Sequence, residues 1–202
     1  MNLFAEFYVL INIMRDKRKK RRELIEWTIL IVIVGVIYLG GWQTQVIGKL
    51  QQLVLSTGVI SPDRVEEELQ ASYNFEIESA SGETIPFEEF SGKVVFLNFW
   101  ATWCPPCIAE MPDINDLYAK ENDVEFVMIS LDRDRQKARD FVQEKGFDFP
   151  IYFLTSSLPA LYKVNSIPTT YVLSKDGKVK IENHGMAKYD SKKFRAFLSE
   201  LQ

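Results

Sequence analysis

From residue 74 onwards, apolar positions occur in short runs that are separated by polar or glycine-containing stretches. The runs Val94–Phe99 and Val124–Ser130 are apolar at most positions, which is typical of central strands buried on both faces. Shorter strand-like runs lie at Asn74–Glu78, Glu83–Pro86 and Pro150–Leu154. We predict the last of these to be a short edge segment of the sheet.

Two turn signals join neighbouring strands into hairpins. Ser81–Gly82 separates the first two short runs, and Asp176–Gly177 separates Thr169–Ser174 from Lys178–Ile181. An Asp-Gly pair is a strong hairpin signal because the favoured two-residue turn needs positive φ at its central positions. The pattern therefore predicts two antiparallel strand pairs.

Helical spacing of apolar residues alternates with these strands. It predicts helices after residue 107 with a kink at Pro112, at Asp134–Lys145 with an end at Gly146, at Ser157–Lys163 and at Ser191–Leu201. Strands and helices in this order predict an α/β fold, in which a mixed central sheet carries helices on both faces.

The N-terminal part of the chain has a different pattern. Residues 24–42 are apolar on every face and contain one charged side chain, Glu26. Because crossing the hydrocarbon takes about 20 apolar residues, we predict a transmembrane helix here rather than a buried core helix. Residues 1–23 form a basic segment, in which positions 15–22 hold seven cations and one acid.

A dense Lys/Arg cluster stays on the cytoplasmic side of a span. We therefore predict a single-pass protein of the bacterial inner (cytoplasmic) membrane, with its body facing the periplasm or the cell exterior. The run also has features of a signal peptide. Its length and the lack of a clear cleavage site indicate that the segment stays attached to the protein. The pair Gly40–Gly41 leaves cleavage open as an alternative. One hypothesis is that Met14 is the true start, which the intact mass of the native protein would decide.

Residues 43–70 are predicted to join the anchor to the body at 71–202. Positions 44–55 place apolar residues at helical spacing, which suits either the membrane surface or packing on the body. Ser61–Pro62 predicts the start of a short helix, with Ser as the N-cap and Pro at the first helical position.

Charge is unevenly distributed along the chain. The net charge is −4, but residues 1–56 carry a balance of +4 and the remainder a balance of −8. An acidic body argues against nucleic-acid binding, so no nucleic-acid partner is expected.

The chain has two cysteines, Cys104 and Cys107, separated by two residues. Cys104 ends a strand–loop segment and Pro105 opens a helix, so Cys104 is predicted to be the N-cap. The free amides and partial positive charge of a helix N-terminus stabilise a thiolate more than a thiol, which lowers the pKa of Cys104. Because the thiolate is the attacking species, Cys104 is the predicted nucleophile, and Cys107 can resolve the mixed disulfide.

The two prolines between the cysteines tune this chemistry. Pro105 suits the first helical position, whereas Pro106 removes an amide that could donate to the Cys104 sulfur. The thiolate then depends chiefly on the amide of Cys107, so its pKa should fall less than in a strong oxidant, whose reduced form is stabilised. The motif therefore favours a reductant.

A structural disulfide and a metal site are the other interpretations of the cysteine pair. A disulfide that closes so small a loop adds little stability. Zinc normally takes four ligands, and two cysteines with the distant His184 fall short of that number. We expect neither a metal nor a cofactor.

The segment Val94–Cys107, VVFLNFWATWCPPC, resembles the active-site strand and helix start of the thioredoxin superfamily. More narrowly, the chain is similar to the TlpA/ResA-like family of membrane-anchored thioredoxins. The N-terminal anchor, Glu110–Pro112 and Ser166–Thr169 also match that family. The similarity covers roughly residues 70–202 and implies a thioredoxin fold.

The resemblance implies roles for individual residues. Cys104 and Cys107 would form the redox-active disulfide as nucleophile and resolving thiol. Pro168 would be a cis-proline that lies against the cysteines and helps to bind the substrate chain. Glu110 would transfer a proton to or from Cys107, whereas by position alone it is a surface carboxylate in the first turns of a helix.

Further contacts around this site are also expected. The residues predicted to touch substrate, besides Pro168, are Trp103, Pro105, Pro106 and Ile167. Trp100 and Trp103 are expected to shield the site. Asn98 stands where classical thioredoxin has a buried acid, and because an amide cannot carry protons, Glu110 is the remaining nearby candidate for proton transfer.

Together these features predict a thiol-disulfide oxidoreductase that reduces disulfides of extracytoplasmic proteins. By resemblance, apocytochrome c with its CxxCH haem site is a plausible client, which would give a role in cytochrome c biogenesis. Since no second span could carry electrons, a separate membrane-embedded electron donor is implied.

Two alternative functions are weighed against this one. A peroxiredoxin-like peroxidase needs a Thr-x-x-Cys site, and Thr102 lies only two residues before Cys104. A non-enzymatic thioredoxin-fold module that binds partners or copper is the other alternative. Copper chaperones of related fold usually space their cysteines by three residues rather than two.

Overall fold

The computed structural model describes residues 3–40, 43–57, 62, 64–162 and 164–202. It divides the chain into two compact units, Met1–Gln43 and Thr44–Gln202, which are described separately.

The first unit consists of helix α1, Leu3–Leu39. Within the described residues, the structure contains no helix that is long and apolar enough to cross a membrane. Residues 24–39 of the predicted span are helical in α1, but residues 41 and 42 lie outside the described residues.

The second unit is built around one mixed sheet. Its strands within the described residues are β1 Arg64–Gln70, β2 Glu76–Ser79, β3 Thr84–Pro86, β4 Val94–Trp100, β5 Val124–Ser130, β6 Ile151–Leu154, β7 Thr169–Leu173 and β8 Lys178–His184. They lie in the order β1-β8-β7-β4-β5-β6-β2-β3. Strand β4 is parallel to β5 and antiparallel to β7, which makes the sheet mixed as predicted.

Among the described residues, four α-helices accompany the sheet at predicted positions, together with a 3-10 helix that was not predicted. They are α2 Gln43–Ser56, α3 Pro105–Tyr118, α4 Arg135–Lys145 and α5 Lys192–Glu200, with a 3-10 helix at Phe87–Phe90. Gly146 ends α4 as predicted, with φ +66°, and at the other end the carboxylate of Asp134 caps the helix by accepting from the amide of Gln136. Helix α3 is continuous through Pro112.

The two faces of the sheet are covered differently: helices α3, α4 and α5 lie on one face, and the 3-10 helix lies on the other. Every residue of β4 is buried, as expected for a central strand. Val94 and Phe96 belong to the core that receives side chains of α3, α4 and α5. Val95 and Leu97 point to the opposite face, which within the described residues is covered by the 3-10 helix and by part of segment 155–164.

Helix α2 packs on the body through its glycine. A Cβ atom placed at Gly48 would lie 3.2 Å from the carbonyl oxygen of Pro105, a tight contact, so glycine favours this close approach to the first turn of α3. Leu55 is buried as well, whereas Leu50 and Leu53 on the other side of α2 are exposed.

The prediction of a short helix that starts at Ser61–Pro62 is wrong. Ser61 lies outside the described residues, and Arg64–Gln70 form strand β1. This strand pairs antiparallel with β8, with Leu69 opposite Val179. Backbone hydrogen bonds to a distant strand therefore override the local helix signal.

Two further predictions are corrected between residues 150 and 164. Strand β6 is an interior strand rather than an edge segment, because it pairs with both β5 and β2. The helix predicted at Ser157–Lys163 is absent from residues 157–162, and Lys163 lies outside the described residues. Pro159 accounts for this, since it disfavours helical backbone at Leu158 and lacks an amide hydrogen.

Candidate active site

Cys104 lies at the point where strand β4 gives way to helix α3. Its backbone is extended, with φ −101° and ψ 102°, and its sulfur accepts a hydrogen bond from the amide of Cys107. The nitrogen and sulfur are 3.2 Å apart. The predicted N-cap and the predicted amide donor are therefore both present, and Pro105 and Pro106 occupy the first two helical positions.

The two cysteines form a disulfide, with Cα atoms 5.3 Å apart. Cys107 is fully buried, whereas 4% of the surface of Cys104 is exposed. Of the two cysteines, Cys104 is therefore the one with exposed surface, which is the asymmetry that a nucleophile and a resolving thiol require.

The loop before Cys104 is held in place by Asp132, at the end of strand β5. Its carboxylate accepts from the amide of Thr102 at 2.9 Å and from the hydroxyl of Thr102 at 2.7 Å. The hydroxyl of Ser130 also donates to it at 2.9 Å. Sequence reasoning missed this contact because Thr102 and Asp132 are 30 positions apart.

The segment before strand β7 lies against the disulfide. The peptide bond between Ile167 and Pro168 is cis, as the family resemblance implied. The carbonyl oxygen of Ile167 is 3.6 Å from the sulfur of Cys104. When the disulfide is reduced, the Cys104 thiol can donate a hydrogen bond to this oxygen.

A shallow groove of about 450 Å³ runs beside the exposed edge of the disulfide. Its lining includes four of the residues predicted to touch substrate, namely Trp103, Pro105, Pro106 and Ile167. Leu131, Val164, Asn165 and Ser166 complete it, whereas Pro168 is not part of the lining. Trp103 is 61% exposed, so it can contact a substrate chain, while Trp100 is fully buried in the core.

Glu110 is fully buried, not a surface carboxylate. Its Oε1 accepts from Asn98 Nδ2 at 2.9 Å, and its Oε2 accepts from the amide of Ala187 at 3.2 Å. Burial raises the pKa of Glu110 to about 8, while these two hydrogen bonds lower it and the nearby Asp113 raises it further. Because Glu110 follows Cys107 by three positions, the two share one face of α3.

The raised pKa of Glu110 predicts that the protein loses stability as the pH rises from about 4.5 to about 8. In this window the unfolded chain has released the proton and the folded protein still holds it, so the folded state binds more protons and rising pH favours unfolding. One pKa unit corresponds to about 1.4 kcal/mol, so the loss amounts to a few kcal/mol.

Urea unfolding at the two ends of this pH range measures the effect. Glu110→Gln removes the titrating group and should make the difference between the two pH values clearly smaller. An equal difference in the variant and the parent protein would assign the pH dependence to other groups.

Comparison with known proteins places the chain among disulfide-exchange proteins. A sequence model of the AhpC/TSA family matches residues 69–181. The thiol-disulfide oxidoreductase ResA of Oceanobacillus iheyensis is 32% identical over 172 residues, which cover 82% of each chain.

Solved structures show the same fold. The thiol:disulfide interchange protein DsbE of Chlorobium tepidum superposes with a TM-score of 0.58 and 27% identity, over 70% of this chain and 100% of that one. A secreted disulfide oxidoreductase of Mycobacterium tuberculosis matches with a TM-score of 0.56 and 25% identity, over 64% of this chain and 97% of that one. The fold is the thioredoxin-type mixed α/β fold, and the chain belongs to the ResA family of thiol-disulfide oxidoreductases within the thioredoxin superfamily.

Proposed function

We propose that the chain reduces disulfides in proteins outside the cytoplasm, with Cys104 as the nucleophile. The observation that carries this proposal is the position of the Cys104 sulfur. It caps helix α3, accepts from the amide of Cys107 and borders an open groove.

The proposed reaction starts from the reduced dithiol. The Cys104 thiolate attacks one sulfur of a client disulfide, forms a mixed disulfide and expels the other client sulfur as a thiolate. The Cys107 thiolate then attacks the sulfur of Cys104 and releases the second client thiolate. Two electrons pass from the dithiol to the client, and the ionised form of Glu110 accepts the proton that Cys107 loses.

The groove would hold the client chain beside Cys104. Trp103 offers an exposed aromatic surface, and Pro105 and Pro106 give the groove an apolar edge next to the sulfur. Ile167, which lines the same groove, would face the client backbone, and the cis bond to the buried Pro168 would set its position.

The small number of hydrogen-bond donors around the Cys104 sulfur favours the reduction of client disulfides over their formation. Neither Pro105 nor Pro106 has an amide hydrogen, and the helix offers the sulfur the amide of Cys107. A thiolate with few donors is stabilised weakly, so the dithiol gives up its electrons more readily than that of a strong oxidant.

The reduction potential of the full-length chain tests the direction of exchange. We expect a value near or below roughly −200 mV, the range of dithiols that donate electrons, as determined by equilibration with glutathione or thioredoxin buffers. A value above roughly −150 mV would identify an oxidant and contradict this proposal.

We also propose that the chain is attached to the bacterial inner membrane with its body outside the cytoplasm. The support comes from the basic positions 15–22, the apolar positions 24–42 and the secreted relative from Mycobacterium tuberculosis. A membrane-embedded electron donor would then keep the dithiol reduced, and apocytochrome c is a plausible client. Labelling of lysines in whole cells with a membrane-impermeant amine reagent tests the location, and a body that reacts only after lysis would refute it.

A further inference from the structure

A chain of buried polar side chains leads from Glu110 to the segment between β8 and α5. Asn98 Nδ2 lies 2.9 Å from Glu110 Oε1 and 2.9 Å from Thr170 Oγ1. The hydroxyl of Tyr189 donates to Thr170 Oγ1 at 2.8 Å, and Asn183 Nδ2 lies 3.4 Å from the Tyr189 hydroxyl. All five residues are buried, so water does not substitute for these bonds.

The orientation of the Asn98 amide depends on Thr170. Asn98 Oδ1 has no hydrogen-bond partner among the described residues, so the contacts of the NH₂ group decide which end of the amide faces Glu110. Tyr189 and Asn98 both donate to Thr170 Oγ1 and so occupy its two lone pairs, which leaves the Thr170 hydrogen pointing away from Asn98. In this arrangement the amide turns its NH₂ group towards Thr170, and the same group donates to Glu110.

We propose that Tyr189 is a positioning residue that keeps a hydrogen-bond donor aimed at the Glu110 carboxylate through Thr170 and Asn98. Without the Tyr189 hydroxyl, Thr170 can turn its own hydrogen towards Asn98, and the amide rotates to bring Oδ1 to Glu110. An amide oxygen accepts only from a protonated carboxyl, so the ionised form of Glu110 loses its donor. The inference rests on the proposed role of Glu110 in proton transfer.

The other titratable and charged groups around Glu110 stay in place when the Tyr189 hydroxyl is removed. On the same helix these are Cys107 and Asp113, and Asp113 is paired with Lys188 at 3.3 Å. Burial raises the pKa of Tyr189 itself well above its ordinary value, so it is a neutral donor throughout the pH range in which Glu110 titrates. A change in the titration of Glu110 would therefore report the path through Asn98.

Carbon-13 NMR of the oxidised full-length protein with labelled glutamate tests the inference, with Glu110→Gln to assign the carboxyl resonance. Tyr189→Phe deletes the hydroxyl and keeps the ring, which packs edge-on against Phe96 and Phe194. We expect the pKa of Glu110 to rise from about 8 in the parent protein. The expected increase is about one pKa unit, which is the size expected when one hydrogen bond to a charged group is weakened.

Two further variants keep the test decisive. Tyr162→Phe deletes a hydroxyl from a buried tyrosine of the opposite sheet face and should leave the pKa of Glu110 unchanged. Thr170→Val removes the intermediate hydroxyl, so it should also raise that pKa and serves if Tyr189→Phe does not fold. An unchanged pKa in the Tyr189 and Thr170 variants, or an equal rise in the Tyr162 variant, would overturn the inference.

The failure of this inference is distinguishable from the failure of the proposed proton transfer. If Tyr189→Phe raises the pKa but Glu110→Gln leaves the pH profile of client reduction unchanged, then Glu110 carries no proton for Cys107. Glu110→Gln could instead alter the pH profile of client reduction while Tyr189→Phe changes neither this profile nor the pKa of Glu110. In that case Tyr189 has no positioning role.

Discussion

Cys104→Ser should abolish the reduction of insulin disulfides by the full-length protein. A serine hydroxyl does not attack a disulfide at neutral pH, and the buried sulfur of Cys107 cannot take over, because none of its surface is exposed. Loss of a catalytic nucleophile typically lowers the rate by a factor of about a thousand or more. The turbidity of precipitating insulin, with a chemical reductant to recycle the protein, measures the loss.

Cys107→Ser is the matched control for this experiment. It leaves the attacking sulfur of Cys104 in place and removes the thiol that resolves the mixed disulfide, so the variant should accumulate a covalent adduct with its client. The adduct migrates as a larger species on a non-reducing gel and disappears on reduction. If Cys104→Ser retained activity within about tenfold of the parent protein, or if the adduct formed through Cys107, the assignment of Cys104 as nucleophile would be wrong.

Trp100→Ala should produce the largest loss of folding stability. Trp100 is fully buried at the end of β4, in the core that also contains both cysteines, and its ring lies 6.0 Å from that of Phe141. Replacing a buried aromatic side chain by alanine typically costs about 3–5 kcal/mol, because it removes apolar burial and leaves a cavity. Urea unfolding followed by circular dichroism measures the change.

Trp103→Ala is the corresponding surface substitution, three positions further along the chain. Because Trp103 is 61% exposed, the free energy of unfolding should change by no more than about 0.5 kcal/mol. The same variant should weaken the reduction of protein clients more than that of a small disulfide, because the groove wall contacts the client chain. Equal destabilisation by the two tryptophan substitutions would contradict the burial of one and the exposure of the other.

The elements predicted correctly are those whose signals are local. Strand β5 begins and ends at the predicted residues, Val124 and Ser130, because a run of apolar residues is sufficient to specify a buried strand. The bounds of α4 follow from the carboxylate cap at Asp134 and the left-handed glycine at position 146. The cysteine pair and its place at a helix N-terminus were likewise evident, because the WCPPC segment contains both the sulfurs and the helix start.

The elements predicted wrongly depend on partners that are distant in the chain. Strand β1 follows a local helix-start signal, and its partner β8 lies more than 100 positions away along the chain. Strand β6 has the local pattern of an edge segment, because nothing in its four residues shows that β2 pairs with its outer side. In both cases hydrogen bonds between separate strands outweighed the local signal.

By itself, the sequence determined that two cysteines lie at the start of a helix behind a buried strand, since cap, strand and prolines are contiguous. The environment of Glu110 was decided only by the tertiary structure. Its partners Asn98 and Ala187 are 12 and 77 positions away, and its burial raises its pKa to about 8. Desolvation depends on how strands and helices pack together, and that packing brings together residues whose separation along the chain gives no sign of contact.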